Sequence, residues 1–194
     1  MRTVKLGKAF YRGSEVTGIA RALLGKVLVC RSGRRTTSGI IVETEAYSWR
    51  ERGCHAFGNR MTARNASMFG AGGICYVYRC YGIHHLLNLV TGEKGMGEAV
   101  LIRAVEPLDG LKWMEERYGR KGRLTNGPGK LTKAMGITTG LDGADLVTGP
   151  VWVEDRRFPR PEIGEGPRIG IDYAGADASL PWRFWVMGNP WVSR

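Results

Sequence analysis

No stretch constrains the fold of this chain more than Ile41-Val42-Glu43-Thr44-Glu45-Ala46-Tyr47, a β-branched run that carries two carboxylates and ends in an aromatic ring. It reads as a buried strand running out into an active-site loop. Side chains alternate along a strand, so Glu43 and Glu45 project from one face while Val42 and Thr44 project from the other. A carboxylate among apolar neighbours costs free energy unless it is paired or put to chemical use. Structural salt bridges to some of the 29 Lys and Arg residues would satisfy the pair equally well, so the rest of the chain must decide.

The 194 residues are enough for one compact domain with a well-buried core and few for two, so residues 1–194 read as a single domain. The formal net charge of +11 comes from Lys and Arg scattered through the whole sequence, and should coat the folded surface. A polyanion is the natural partner; nucleic acid fits better than a membrane, because no long basic amphipathic helix appears. A basic surface that serves only solubility is the alternative. The N-terminus, Met1 to Lys8, is too polar for a signal peptide and no apolar run approaches bilayer length, so a soluble intracellular protein is expected, cytoplasmic in a prokaryote or nuclear in a eukaryote. Cys30, Cys54, Cys75 and Cys80 have no CxxC spacing and read as reduced structural thiols. A metal centre drawing on Cys54, His55, Cys75 and Cys80 would match no common zinc pattern, and neither metal nor cofactor is expected.

Along the chain, Ser14 can cap a helix in which Val16, Ile19, Ala20, Leu23 and Leu24 recur at helical spacing, ended by Gly25. The runs Lys26–Cys30 and Gly39–Thr44 flank the glycine-containing turn Arg31–Arg35 and predict a hairpin that delivers the two glutamates. Residues 48–64 lose periodicity and frame Gly53-Cys54-His55-Ala56-Phe57-Gly58 with Arg50, Arg52, Arg60 and Arg64. Thr62 can cap a short helix through Met68-Phe69. The runs Ile74–Tyr81 and Ile83–Val90 predict a second hairpin with Tyr81-Gly82 at its tip, where an exposed tyrosine in a basic protein suggests a wedge stacking on bases. Tyr76 and Tyr78 share a face, as a pocket wall or as core. Ala99–Glu106 is apolar enough to be a central strand, and Arg103 in its middle needs a carboxylate or a substrate, with Glu45 the obvious candidate. Asp109 can start a helix through Met114; in Asn126-Gly127-Pro128-Gly129-Lys130 the proline suits a first helical turn whose amides, with Lys130, form either a phosphate anchor or a plain cap. Val151–Val153, Arg168–Ile171 and Arg183–Val186 read as short strands.

Read in order, Glu43-Thr44-Glu45-Ala46-Tyr47, His55, Met68-Phe69, Tyr76-Val77-Tyr78 with Tyr81-Gly82, Asn88, Leu101-Ile102-Arg103-Ala104 and Pro190-Trp191-Val192-Ser193 resemble the alkyladenine (3-methyladenine) DNA glycosylase family, from about Ala20 to the C-terminus. The resemblance implies an enzyme that flips damaged purines of the 3-methyladenine, 7-methylguanine, hypoxanthine and ethenoadenine class out of double-stranded DNA and hydrolyses the N-glycosidic bond, as a monomer in base excision repair. It implies Glu45 as the general base activating water, with Arg103 and the main-chain carbonyl of Ile169 placing that water and Glu43 in support. Tyr47, His55 and Tyr78 would sandwich the flipped base, Tyr81 would fill the gap left in the duplex, and Asn88 would discriminate against undamaged guanine. Ile83, Arg64 and Lys130 join Tyr81 as the expected DNA contacts. His84, His85 and residues 48–54 depart from the family pattern, which bears on the lesion range. No lysine stands at the matched catalytic positions, which favours hydrolysis over Schiff-base chemistry. The expected fold is α+β, a mixed and largely antiparallel curved sheet flanked by helices, with a protruding β-hairpin. The rival from another class is a non-catalytic nucleic-acid binder in which Glu43 and Glu45 are merely structural.

Overall fold

The computed structural model describes residues 3–13 and 15–193, so the Ser14 cap lies outside the described residues. The chain runs β1 (Val4–Lys5), α1 (Val16–Leu23), β2 (Val27–Ser32), β3 (Arg35–Ser48), β4 (Cys75–Cys80), β5 (His84–Val90), β6 (Glu98–Asp109), α2 (Leu111–Tyr118), α3 (Pro128–Met135), β7 (Val151–Asp155), β8 (Ile163–Gly166) and β9 (Arg183–Val186), with short 3-10 turns between. The strands form one sheet in the order β1-β7-β2-β3-β6-β5-β4, with β9 pairing β3 and β8 pairing β9. Every described pairing is antiparallel, so the largely antiparallel α+β sheet expected contains no parallel ladder among them.

The 14-residue β3 is the spine. Its first half pairs β2 across the two-residue turn Gly33-Arg34; its second half exchanges that neighbour for β9, with Glu43 opposite Trp185 and Glu45 opposite Arg183. On its other side it pairs β6 with a bulge between Ile41 and Thr44. All three α-helices contribute to one apolar core, through Ile19 and Leu23 of α1, Met114 of α2 and Leu131 and Met135 of α3, packed with Val77, Leu87, Leu89, Val100 and Ile102 of the sheet. Alternation then dictates that their strand neighbours Tyr76, Tyr78, Asn88, Leu101 and Arg103 face the opposite side, where a smaller cluster of Cys54, Ala56, Met68, Phe69, Tyr76, Val90 and Ala99 leaves room for a cavity.

Several boundaries differ from the sequence reading. Asp109 does not open α2: it stays in β6, its carboxylate accepting from Ser38 Oγ (2.6 Å) and Arg156 Nη1 (2.8 Å), and Gly110, at φ +77, takes the cap position. Thr62 does not cap a helix. Its amide donates to Asn65 Oδ1 (2.6 Å), and a 3-10 turn starts only at Ala66. Arg168–Ile171 is not a strand, because the Arg168 side chain is anchored by Glu51 and Gly170 turns the backbone at φ +76. Gly25, at φ +80, ends α1 in the left-handed conformation expected of it.

Candidate active site

Four adjacent strands lay one row of side chains across the open face. Cross-strand register sets Glu45 opposite Leu101, Leu101 opposite Asn88, and Asn88 opposite Tyr76. These four residues line a cavity of about 480 Å³ together with Tyr47, His55, Tyr78, Arg103 and the 169–171 turn. That volume falls within the roughly 300–1,000 Å³ usual for small-molecule sites. Glu45 is the one carboxylate among the described residues lining it.

Both glutamates are fully buried, yet only one faces the cavity. Glu43 accepts from Arg103 Nε (3.0 Å), Arg183 Nε (2.7 Å), Ser193 Oγ (2.8 Å) and the Ser193 amide (2.7 Å). Three of these donors crowd Oε1 and one reaches Oε2, so Glu43 is engaged in pairing two arginines and the Ser193 segment, away from the cavity lining. Glu45 accepts from the Tyr47 hydroxyl at Oε2 (2.8 Å) and the Ile169 amide at Oε1 (2.8 Å), with Arg103 Nη1 3.2 Å from Oε1. At least one acceptor direction is left over. Burial works against the Arg103 charge, but Glu45 and Glu43 outweigh it and hold its pKa above the usual arginine range. Burial first, and the Glu45 charge second, push the Tyr47 phenol well above 10, so it remains a donor.

The aromatic wall is built from β4 and the loop after β3. Tyr76 and Tyr78 stack with centroids 5.4 Å apart, and His55 meets Tyr78 edge-on at 4.6 Å. His55 Nδ1 lies 2.9 Å from the Tyr76 hydroxyl, and burial, followed by the Arg64 charge, depresses its pKa below 6.5. Asn65 staples the His55 loop by donating to the His55 (2.8 Å) and Arg60 (3.1 Å) carbonyls. Asn88 is buried at the cavity wall and donates to the Tyr76 carbonyl (3.2 Å).

The mouth lies under the β4–β5 tip. Tyr81 and Gly82 both adopt positive φ (+49 and +71) at a turn closed by the Ile83 amide on the Cys80 carbonyl, and Tyr81 and Ile83 stand 88% and 73% exposed. Arg64 lines the cavity and donates to the Arg79 carbonyl. Pro128, the first residue of α3, lines the same mouth. Lys130 does not; it is exposed two residues further on, its Nζ 3.1 Å from Asn126 Oδ1. The tip is locked to α3 and the turn beyond it: His85 accepts at its carbonyl from Thr132 Oγ1 of α3 and at Nδ1 from the Thr139 amide of the following 3-10 turn, while His84 packs on Gly129, where a side chain would collide.

Glu45, Arg103, Tyr47, His55, Tyr78, Asn88, Tyr81, Arg64 and Ile169 are therefore brought together, whereas Ile83 and Lys130 lie outside the cavity lining. The contact Ile169 makes with Glu45 is through its amide. Sequence reasoning missed Tyr173, which lines the mouth at 69% exposure and donates to the Gly53 carbonyl (3.2 Å), and the buried pair Arg168–Glu51 behind it. Separations of 120 and 117 residues carry no local signal for those pairings. The described residues contain no group of three or more His, Cys, Asp or Glu placed to hold a metal ion, and burial pushes the Cys54 and Cys75 thiols up to about 12. No described helix is long and apolar enough to cross a membrane.

Against known proteins, the model of the methylpurine-DNA glycosylase family matches residues 9–190. Among curated proteins named "Putative 3-methyladenine DNA glycosylase", the chain is 48% identical to one from Bacillus subtilis (95% of this chain, 94% of that one). It is 46% identical to one from Methanoculleus marisnigri (97% and 98%) and 42% identical to one from Chlamydia abortus (92% and 96%).

Proposed function

Because the chain belongs to the methylpurine-DNA glycosylase family and is a DNA glycosylase, we propose that it removes damaged purines from duplex DNA by hydrolysis with a Glu45-activated water. The single observation that carries this reading is that Glu45 is the one carboxylate at the cavity wall among the described residues and keeps an acceptor direction free, while Glu43 beside it does not line the cavity. A water at that free direction is both close to the base that takes its proton and inside the space a flipped nucleotide would occupy. Departure of the purine leaves an electron-poor sugar resembling an oxocarbenium ion, which a carboxylate stabilises as it accepts the proton.

Arg103 supports the step by fixing the Glu45 carboxylate. Ile169 does the same through its amide, and its carbonyl is proposed to help place the water. Tyr47, His55 and Tyr78 are proposed as the surfaces between which the flipped base stacks, and Asn88 as the residue that meets a guanine's exocyclic amino group. Tyr81, exposed at the hairpin tip, is proposed to fill the vacated duplex position, with Ile83, Arg64 and Lys130 on the DNA surface beside it. Extruding a base costs a few kcal/mol, least for damaged or mispaired purines, and aromatic stacking returns roughly 1–3 kcal/mol, so selection begins before chemistry. No lysine lines the cavity among the described residues, which supports hydrolysis over Schiff-base strand cleavage. The site is complete within one chain, which supports action as a monomer and as a single domain over residues 1–194, in the compartment that holds the chromosome.

The test is single-turnover excision, enzyme in excess, on duplex oligonucleotides carrying hypoxanthine, ethenoadenine or a methylated purine, read as alkali-labile abasic product. Product from at least one lesion is expected. Glu45→Gln should slow its formation by roughly 10²–10⁴-fold while abasic-site DNA still binds. No product from any lesion of the panel would overturn the reading, and undiminished turnover in the variant would remove Glu45 from its role.

A further inference from the structure

We propose that the buried pair Arg168–Glu51 is a positioning device for excision, holding the Ile169 amide on Glu45 and the Tyr47 ring where a flipped purine would stack; this rests on the glycosylase reading of the cavity. Neither side chain lines the cavity, and both are withdrawn from solvent, at 0% and 3% exposure. They meet as a fork, Nη1 to Oε1 and Nη2 to Oε2, each at 2.7 Å. A fork of this kind sets the plane of the guanidinium as well as its distance. The same two nitrogens reach main chain on either side: Nη1 donates to the Ala46 carbonyl (3.0 Å) and Nη2 to the Asp177 carbonyl (3.2 Å). Glu51 also accepts from the Gly53 amide at 2.7 Å.

One cation thus ties together the β3 end between Glu45 and Tyr47, the loop that leads to His55, and the turn that follows Ile169. Two consequences reach the cavity. Arg168 is covalently next to Ile169, so the guanidinium anchor fixes where the Ile169 amide meets Glu45 Oε1, with Gly170 turning the backbone immediately afterwards. The guanidinium carbon also lies 4.8 Å from the Tyr47 ring centroid and 5.3 Å from that of Trp182. Tyr47 lines the cavity and Arg168 does not, so the cation backs the ring that a base would use as its platform. Buried ion pairs are weak contributors to net stability against apolar packing, whereas their geometry is specific, which is what a positioning role uses.

The experiment compares the intact protein with Arg168→Lys, which keeps the cation but cannot fork, and Glu51→Gln, which keeps shape but gives up an acceptor. Each is assayed on a hypoxanthine duplex under single turnover, at a temperature where near-UV circular dichroism shows it folded, alongside binding to abasic-site DNA. The expected result is a rate lowered on the order of 100-fold in Arg168→Lys, and by less in Glu51→Gln, with abasic-site affinity unchanged. A wild-type rate in either folded variant overturns the proposal, as does failure of both variants to fold, which would assign the pair to the fold alone. Inactivity of the unsubstituted protein on every lesion would instead sink the glycosylase reading, so the two failures are distinguishable.

Discussion

Glu43 and Glu45 stand two residues apart on one strand, share a face, and are equally buried, yet Glu45 lines the cavity and Glu43 does not. Four donors reach Glu43, three of them at Oε1 and two of them from arginines, so its charge is committed to holding Arg103 and Arg183. Glu43→Gln is therefore expected to leave Arg183 without its carboxylate and Arg103 with Glu45 alone, and to lower unfolding free energy by about 3–5 kcal/mol, read from the denaturant midpoint. A loss within the ~0.5 kcal/mol typical of surface substitutions would contradict that pairing. His55 gives a pH prediction at the same scale. Its folded pKa is depressed below 6.5 by burial and then by Arg64, so the unfolded chain takes up the proton first on acidification. Its contribution is fully present above pH 6.5 and is lost as pH falls through that value towards the folded pKa. Between pH 7 and pH 5 the protein should lose more stability than His55→Gln, and parallel pH profiles of the two would refute the assignment.

At the scale of elements, the β4–β5 hairpin is held in an uncommon conformation where nothing in its own packing demands a tyrosine. A non-glycine residue at φ +49 carries strain, and such strain persists where surrounding structure imposes it, here the anchoring of His84 on α3 and of His85 on α3 and Thr139. Because the Tyr81 ring is exposed, Tyr81→Ala should leave thermal stability within about 0.5 kcal/mol. The same substitution should weaken the flipped state of an ethenoadenine duplex by the ~1–3 kcal/mol of one lost stacking surface, measured by the lesion's own fluorescence. An unchanged flipping equilibrium would mean that the tip is not the wedge.

For the whole molecule, the governing quantity is charge. Twenty-nine cations against eighteen acidic residues leave +11, and internal pairs such as Arg168–Glu51 consume equal numbers of both signs, so the excess stays on the surface. Binding to duplex DNA should fall steeply with salt, with log affinity linear in log salt concentration at a slope of about −0.9 per phosphate contacted. A flat response would remove the basic surface as the DNA footprint.

What the sequence by itself determined was local and periodic: the amphipathic α1 stopped by Gly25, the two hairpins with Gly33 and Gly82 in their turns, the apolar β6 and the proline-led α3. Each depends on propensity and alternation over a few residues, which are written along the chain. Alternation also sufficed to set Glu43 and Glu45 on one side and to ask what Arg103 meets. Which glutamate lines the cavity, and that Arg168 leaves the strand expected of it to grip Glu51, only the tertiary structure decided. Those outcomes depend on Ser193, Arg183 and Ile169, more than a hundred residues away from the glutamates, meeting at one face of the sheet. No local pattern encodes such a meeting, because its free energy comes from desolvation and hydrogen bonding that exist only once the sheet has formed.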